Sequence, residues 1–133
     1  MDPIAYLDSS ALVKLLVPEA ESVALEAYLA DKEQLASSRL AATELRRACV
    51  ASGRRRYLQQ ADDLLARVWL LDVTGTILES AGRIEPASLR TLDAIHLVTV
   101  LSLNEEAVDV ITYDDRLAIA ARHHGLRVVQ PGA

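Results

Sequence analysis

The sequence predicts an α/β fold: a three-layer α/β/α sandwich with a mainly parallel central sheet, in one domain spanning residues 1–133. Three observations carry that prediction. Short apolar runs alternate with longer amphipathic segments along the whole chain, as successive βαβ units require. The composition, 51% hydrophobic and 25% charged, is that of an ordinary globular protein. No repeat, low-complexity tract or linker divides the 133 residues, and a chain of this length buries about two-thirds of its surface without disulfides or metal staples.

The elements follow in order. Ile4 to Leu7 is a short apolar run closed by Asp8 and reads as a buried strand. Ser9 and Ser10 are placed to cap a helix running to Val17, which Pro18 stops. A second helix is expected over 19–31 and a weak strand over 34–38. Residues 40–52 read as a helix ended by Gly53. Residues 54–68 read as another, with Leu58, Ala61, Leu64, Leu65 and Val68 on one face. A strand over 69–73 and a helix over 76–84 come next. The segment 92–103 is apolar almost all round and reads as a buried helix. Val108 to Thr112 is a strand bounded by Asp114, followed by a helix over 115–124 that ends at Gly125, and a last strand over 127–129.

Fourteen Lys and Arg against nineteen Asp and Glu give a net charge of −5, which by itself argues against a nucleic-acid binder. The charge is unevenly spread. Residues 39–67 hold seven basic and three acidic groups, a basic island in an acidic chain, whose Arg46, Arg47, Arg54, Arg55 and Arg56 suit either a solvated face paired with Asp62 and Asp63 or a phosphate track. Aromatic residues are 4% and Phe is absent, so platforms for stacking bases are scarce. The lone Cys49 excludes an internal disulfide and a cysteine-rich zinc site. The start, MDPIAYLDSS, lacks the basic and apolar regions of a signal peptide, and no apolar run reaches a membrane span; a cytoplasmic protein is expected.

The chemistry lies in four acids. Asp8 and Asp114 stand at or just past the carboxyl ends of predicted strands, where ligands of parallel α/β sheets bind. Glu44 lies in the helical LAATELRRA, and Asp93 opens the most hydrophobic helix of the chain. Singly, Asp93, Asp114 and Glu44 have ordinary explanations as a dipole partner, a helix cap and a solvated face, whereas Asp8, ending a buried strand with no basic residue adjacent, is the hardest to dismiss. Together, four acids around one crevice repel one another and titrate abnormally unless a cation neutralises them. Oxygen-only ligation suits Mg²⁺, which takes one or two carboxylates, keeps several waters and leaves room for phosphate oxygens.

Four segments carry a family resemblance across nearly the whole chain: YLDSSALVKLLVPE (6–19), AATELRRA (41–48), LDAIHLVTV (92–100), and ITYDDRL (111–117) with AARHHGL (120–126). The sequence resembles the PIN-domain ribonucleases, and among them the VapC toxins of prokaryotic toxin–antitoxin pairs. The resemblance implies a metal-dependent endoribonuclease acting on a structured RNA such as tRNA or rRNA, with Asp8, Glu44, Asp93 and Asp114 as catalytic acids holding Mg²⁺ or Mn²⁺. It places Ser9 and Thr112 near the metal and leaves Asp115 as an auxiliary ligand or a solvated neighbour. It also implies a homodimer and a small VapB-like antitoxin that presents a basic side chain to the acids. Lys14 is expected to be structural, His96 a hydrogen-bonded core residue sharing a helix face with Asp93, His123 and His124 solvent-exposed at a helix end, and Tyr113 a packing residue. Two alternatives compete. A receiver-type phosphoacceptor domain would use Asp72, but the sequence has no lysine after Lys32 to complete it. A non-catalytic module keeping only the fold has no need of four acids.

Overall fold

The computed structural model describes residues 3–103 and 107–133. Five strands form one sheet: β1 (Ile4–Leu7), β2 (Leu35–Ser38), β3 (Trp69–Leu71), β4 (Val108–Ile111) and β5 (Arg127–Val129). Their order is β3-β2-β1-β4-β5, and every pairing is parallel. Seven helices join them: α1 (Ser9–Leu16), α2 (Ser22–Leu29), α3 (Arg39–Ala51), α4 (Leu58–Leu65), α5 (Gly75–Ala81), α6 (Thr91–Leu101) and α7 (Asp115–His123). The expected α/β/α sandwich is present. No helix among the described residues is long and apolar enough to cross a membrane.

Alternation along β1 explains the layers. Ala5 and Leu7 face a core built with Leu12, Leu16, Leu25, Leu45, Leu64 and Leu65, from α1 to α4. Tyr6 points to the opposite face and packs with Ala36, Val100, Val108 and Val110. A central parallel strand covered on both sides needs this uninterrupted apolarity. The basic stretch 54–68 departs from the single helix expected. Gly53, at φ 73°, ends α3, a 3-10 turn follows at Arg55–Tyr57, and α4 begins only at Leu58. Three consecutive arginines bury nothing, and the core claims the chain only where the apolar spacing starts.

The chain moves outward from β1 through β2 to β3 on one side, then returns to place β4 and β5 on the other. The strand order therefore reverses between β1 and β4. In open parallel sheets the crevice outside the carboxyl ends at such a switch is where ligands bind. Asp8 follows β1 and Thr112 to Asp114 follow β4, so both lie at this point.

Candidate active site

Asp8 is the anchor of the crevice. It is 3% exposed and sits between the last residue of β1 and the first of α1. The expected cap of α1 was Ser9 or Ser10; the structure gives that role to Asp8, whose Oδ1 accepts from the Ala11 amide at 3.0 Å. Strand end and helix start meet in one residue, which leaves no room for a separate cap. The Ser10 hydroxyl also donates to Oδ1, at 2.6 Å, and the buried Thr112 hydroxyl donates to Oδ2 at 2.5 Å. Burial pushes the Asp8 carboxyl above its ordinary range, and these hydrogen bonds oppose the rise.

The loop after β4 is knitted to the same carboxylate. Ser10 Oγ accepts from the Tyr113 amide at 2.9 Å, and Thr112 Oγ1 accepts from the Asp114 amide at 3.1 Å. From behind, the Gln130 amide donates to the Thr112 carbonyl at 3.0 Å, and the Tyr113 hydroxyl donates to the Pro131 carbonyl at 2.8 Å. The segment after β5 thus straps the loop in place. Asp114 caps α7 through Oδ1, which accepts from the Arg116 and Leu117 amides. Asp115 is exposed.

Glu44 and Asp93 stand on two helices. Glu44, on α3, is hydrogen-bonded to His96 on α6, Nε2 to Oε1 at 2.7 Å. Asp93 is half-buried in the first turn of α6. Burial raises its carboxyl, and the charges of Asp114, Asp8 and Glu44 push it further up against the opposing influence of His96. Asp93 therefore stands near enough to Asp114, Asp8 and Glu44 to feel their charges. As placed, no three His, Cys, Asp or Glu side chains among the described residues stand close enough to share an ion directly.

Lys14 is structural: it pairs with Glu21 at 2.8 Å and lies 4.7 Å above the Tyr113 ring. The Ser9 hydroxyl makes no hydrogen bond among the described residues, while Ser10 makes the contacts expected of a serine beside Asp8. Ser10 was missed, although a hydroxyl two residues after an aspartate is a common local hydrogen-bonding pattern. His123 is exposed, but His124 is partly buried and donates to the Glu85 carbonyl at 2.6 Å. Arg46 is spent on Asp62 at 3.0 Å, and Arg47 is exposed one helical turn after Glu44.

A family model described as "PIN domain" matches residues 5–123. The chain belongs to the PIN-domain family. Within it, this PIN domain is 44% identical over 128 residues to Ribonuclease VapC46 of Mycobacterium tuberculosis, covering 95% of this chain and 96% of the relative. Its fold is that of VapC20 of M. tuberculosis, a toxin described as cleaving the sarcin–ricin loop, with a TM-score of 0.77 at 17% identity over 96% of this chain and 99% of that one. It is also that of a chain from a toxin–antitoxin complex of Klebsiella pneumoniae, with a TM-score of 0.72 at 20% identity over 96% and 97% of the two chains. Homology to the VapC ribonuclease toxins thus extends over the full PIN domain and includes all four acid-bearing segments.

Proposed function

We propose that this PIN domain is a metal-dependent endoribonuclease toxin that hydrolyses phosphodiester bonds in a structured cellular RNA, tRNA or rRNA, and is held inactive by a cognate antitoxin. The observation that carries the reading is the Asp93 carboxyl, raised by burial and then by the charges of Asp114, Asp8 and Glu44, with Asp8 and Asp114 themselves following the two strands at the switch point of the sheet. Homology to proteins named ribonucleases supports the reaction class.

The donor set fits Mg²⁺ or Mn²⁺. All four groups offer oxygen, they carry a surplus of negative charge, and a cation that retains its waters is held partly through those waters rather than by three direct ligands. When bound, the cation stabilises charge on phosphate oxygens and lowers the pKa of coordinated water. The protein's own part is orientation. Thr112 and Ser10 hold both Asp8 oxygens, His96 hydrogen-bonds Glu44, and the Asp114 Oδ1 caps α7, while its Oδ2 makes no hydrogen bond among the described residues. Asp115, exposed, is a solvated neighbour in this reading.

The same acids explain the proposed inhibition. An arginine offered by a VapB-like antitoxin would pair with a carboxylate in a bidentate, charge-assisted contact and occupy the cation's place. The K. pneumoniae toxin–antitoxin complex supports such a partner. A homodimer would cover exposed apolar side chains such as Leu78 on α5 and Leu92 on α6, each 49% exposed. The receiver reading is disfavoured. Asp72 follows the edge strand β3 and is exposed against Arg39, and the strand order differs from the 2-1-3-4-5 order of that class.

Purified protein is expected to cleave RNA with Mg²⁺ or Mn²⁺ and to stop in excess EDTA. Undiminished cleavage in EDTA would overturn the proposal.

A further inference from the structure

The imidazole of His96 is 96% shielded on α6, one turn after Asp93, yet its only hydrogen bond among the described residues goes to Glu44, 52 positions away on α3. Glu44 is a long, flexible side chain, 27% exposed in mid-helix, where a glutamate would otherwise extend into water. Its sole hydrogen bond among the described residues is this one. A carboxylate can only accept, so Nε2 donates. Nδ1, equally buried, has no partner among the described residues. A histidine kept for core structure alone would be expected to satisfy its buried nitrogens with nearby backbone or side chains. Here the ring forgoes one hydrogen bond and commits the other to an acid of the crevice. The helix contacts sharpen the point: α6 packs on α5 and α7, and α3 packs on α1 and α4. Each helix packs mainly on other elements, and the His96–Glu44 hydrogen bond links the two directly.

We propose that His96 is a positioning residue, holding the Glu44 carboxylate turned into the crevice so that it shares a cation with the acids of α6 and the sheet. This rests on the metal-site reading above and adds a residue that acts through a ligand rather than as one. Groups that hydrogen-bond a metal-ligating side chain orient it, and their loss costs about 10- to 100-fold in metal affinity.

The test compares wild type, His96→Leu, His96→Gln, Glu44→Gln and the double variant His96→Leu/Glu44→Gln. Mn²⁺ binding is read by electron paramagnetic resonance, and RNA cleavage is followed against Mg²⁺ concentration. His96→Leu keeps the ring's approximate volume without a donor, and His96→Gln keeps a donor. The expected result is a Mn²⁺ dissociation constant about 10-fold or more weaker in His96→Leu, the Mg²⁺ requirement for half-maximal cleavage raised by the same factor, and recovery in His96→Gln. In the Glu44→Gln background, His96→Leu should change nothing further. Should the leucine variant not fold, His96→Met is the second donor-less form. An unchanged Mn²⁺ constant in His96→Leu beside a weakened one in Glu44→Gln overturns the positioning role, as does an equal effect of His96→Leu with and without the Glu44 carboxylate. Wild type that binds no Mn²⁺ overturns the metal reading itself, and the positioning role with it.

Discussion

Replacing Asp8 separates what its carboxylate does for the fold from what it does for chemistry. In Asp8→Ala, α1 loses its N-cap, worth about 1 kcal/mol. The Ser10 and Thr112 hydroxyls lose a charged acceptor, at about 1.5 kcal/mol or more apiece. Against this, a desolvated charge disappears, because burial already disfavours the ionised form of Asp8. The net loss is about 2 kcal/mol, within what a domain of this size survives. Asp8→Asn is milder. Its Oδ1 still accepts from Ala11 and Ser10, and asparagine is as good a cap as aspartate. Only the Thr112 hydrogen bond must be exchanged, so stability changes by about 1 kcal/mol or less. Both variants lose the charge that the proposed cation needs, and cleavage should fall by about 10²-fold or more in each. Urea unfolding and RNA cleavage with Mg²⁺ measure the two quantities. The refuting result is an Asp8→Asn protein that cleaves at the wild-type rate, or one in which activity falls only in proportion to lost stability.

Two further predictions follow from the same structure. Asp93 binds its proton more tightly folded than unfolded, so its contribution to stability is full below the ordinary value of 3.8 and is lost as pH rises through the raised folded value; the stability of Asp93→Asn relative to wild type, measured by melting in EDTA, should therefore grow as pH rises above about 4 and then level off, and added Mg²⁺ should reverse the gain, whereas a difference flat in pH would contradict the raised carboxyl. On β4, the buried Asp109 accepts from the Tyr28 hydroxyl at 2.5 Å, and burial, then Asp109, pushes the Tyr28 phenol up to about 12. Tyr28→Phe leaves that carboxylate with the exposed Arg127 and should cost about 1.5–3 kcal/mol in urea unfolding with cleavage unchanged, since Asp109 lies inside β4 and not at its carboxyl end.

The elements most legible in the sequence are those bounded by a charge. β1 is a continuous apolar run ended by Asp8, β4 is apolar but for Asp109 and is followed by a Thr–Tyr–Asp stretch, and the positions of both agree with the reading to within a residue. Boundaries fail where a side chain intervenes. The helix expected from Glu19 starts at Ser22, because the Ser22 hydroxyl accepts from the Glu19 amide and donates to the Lys14 carbonyl, holding the preceding residues in a turn. For the site, spacing shows that Asp93 and His96 share a helix face. It cannot show that Glu44 arrives opposite His96, since that depends on how α3 and α6 are set on the sheet, which the strand order decides. Parallel order is a property of long-range pairing and leaves no mark on any one segment.

The net charge of −5 takes on a different meaning once the acids are placed. Setting aside the four acids of the proposed site leaves −1, with a basic stretch on and after the helix that carries Glu44. A crevice with four carboxylates should be unstable without a cation, yet the fold limits the cost. Asp8 and Asp114 each use Oδ1 to cap a helix, so the positive ends of α1 and α7 stabilise their charges. Asp93 lies in the first turn of α6, where the same field acts. The metal-free protein can therefore hold acids close together while still repelling phosphate. In the proposed reading, acidity at this position is not an obstacle to RNA but a condition on it: phosphate approaches only after a divalent cation has reversed the local field, and an antitoxin arginine that reaches the acids first removes that possibility.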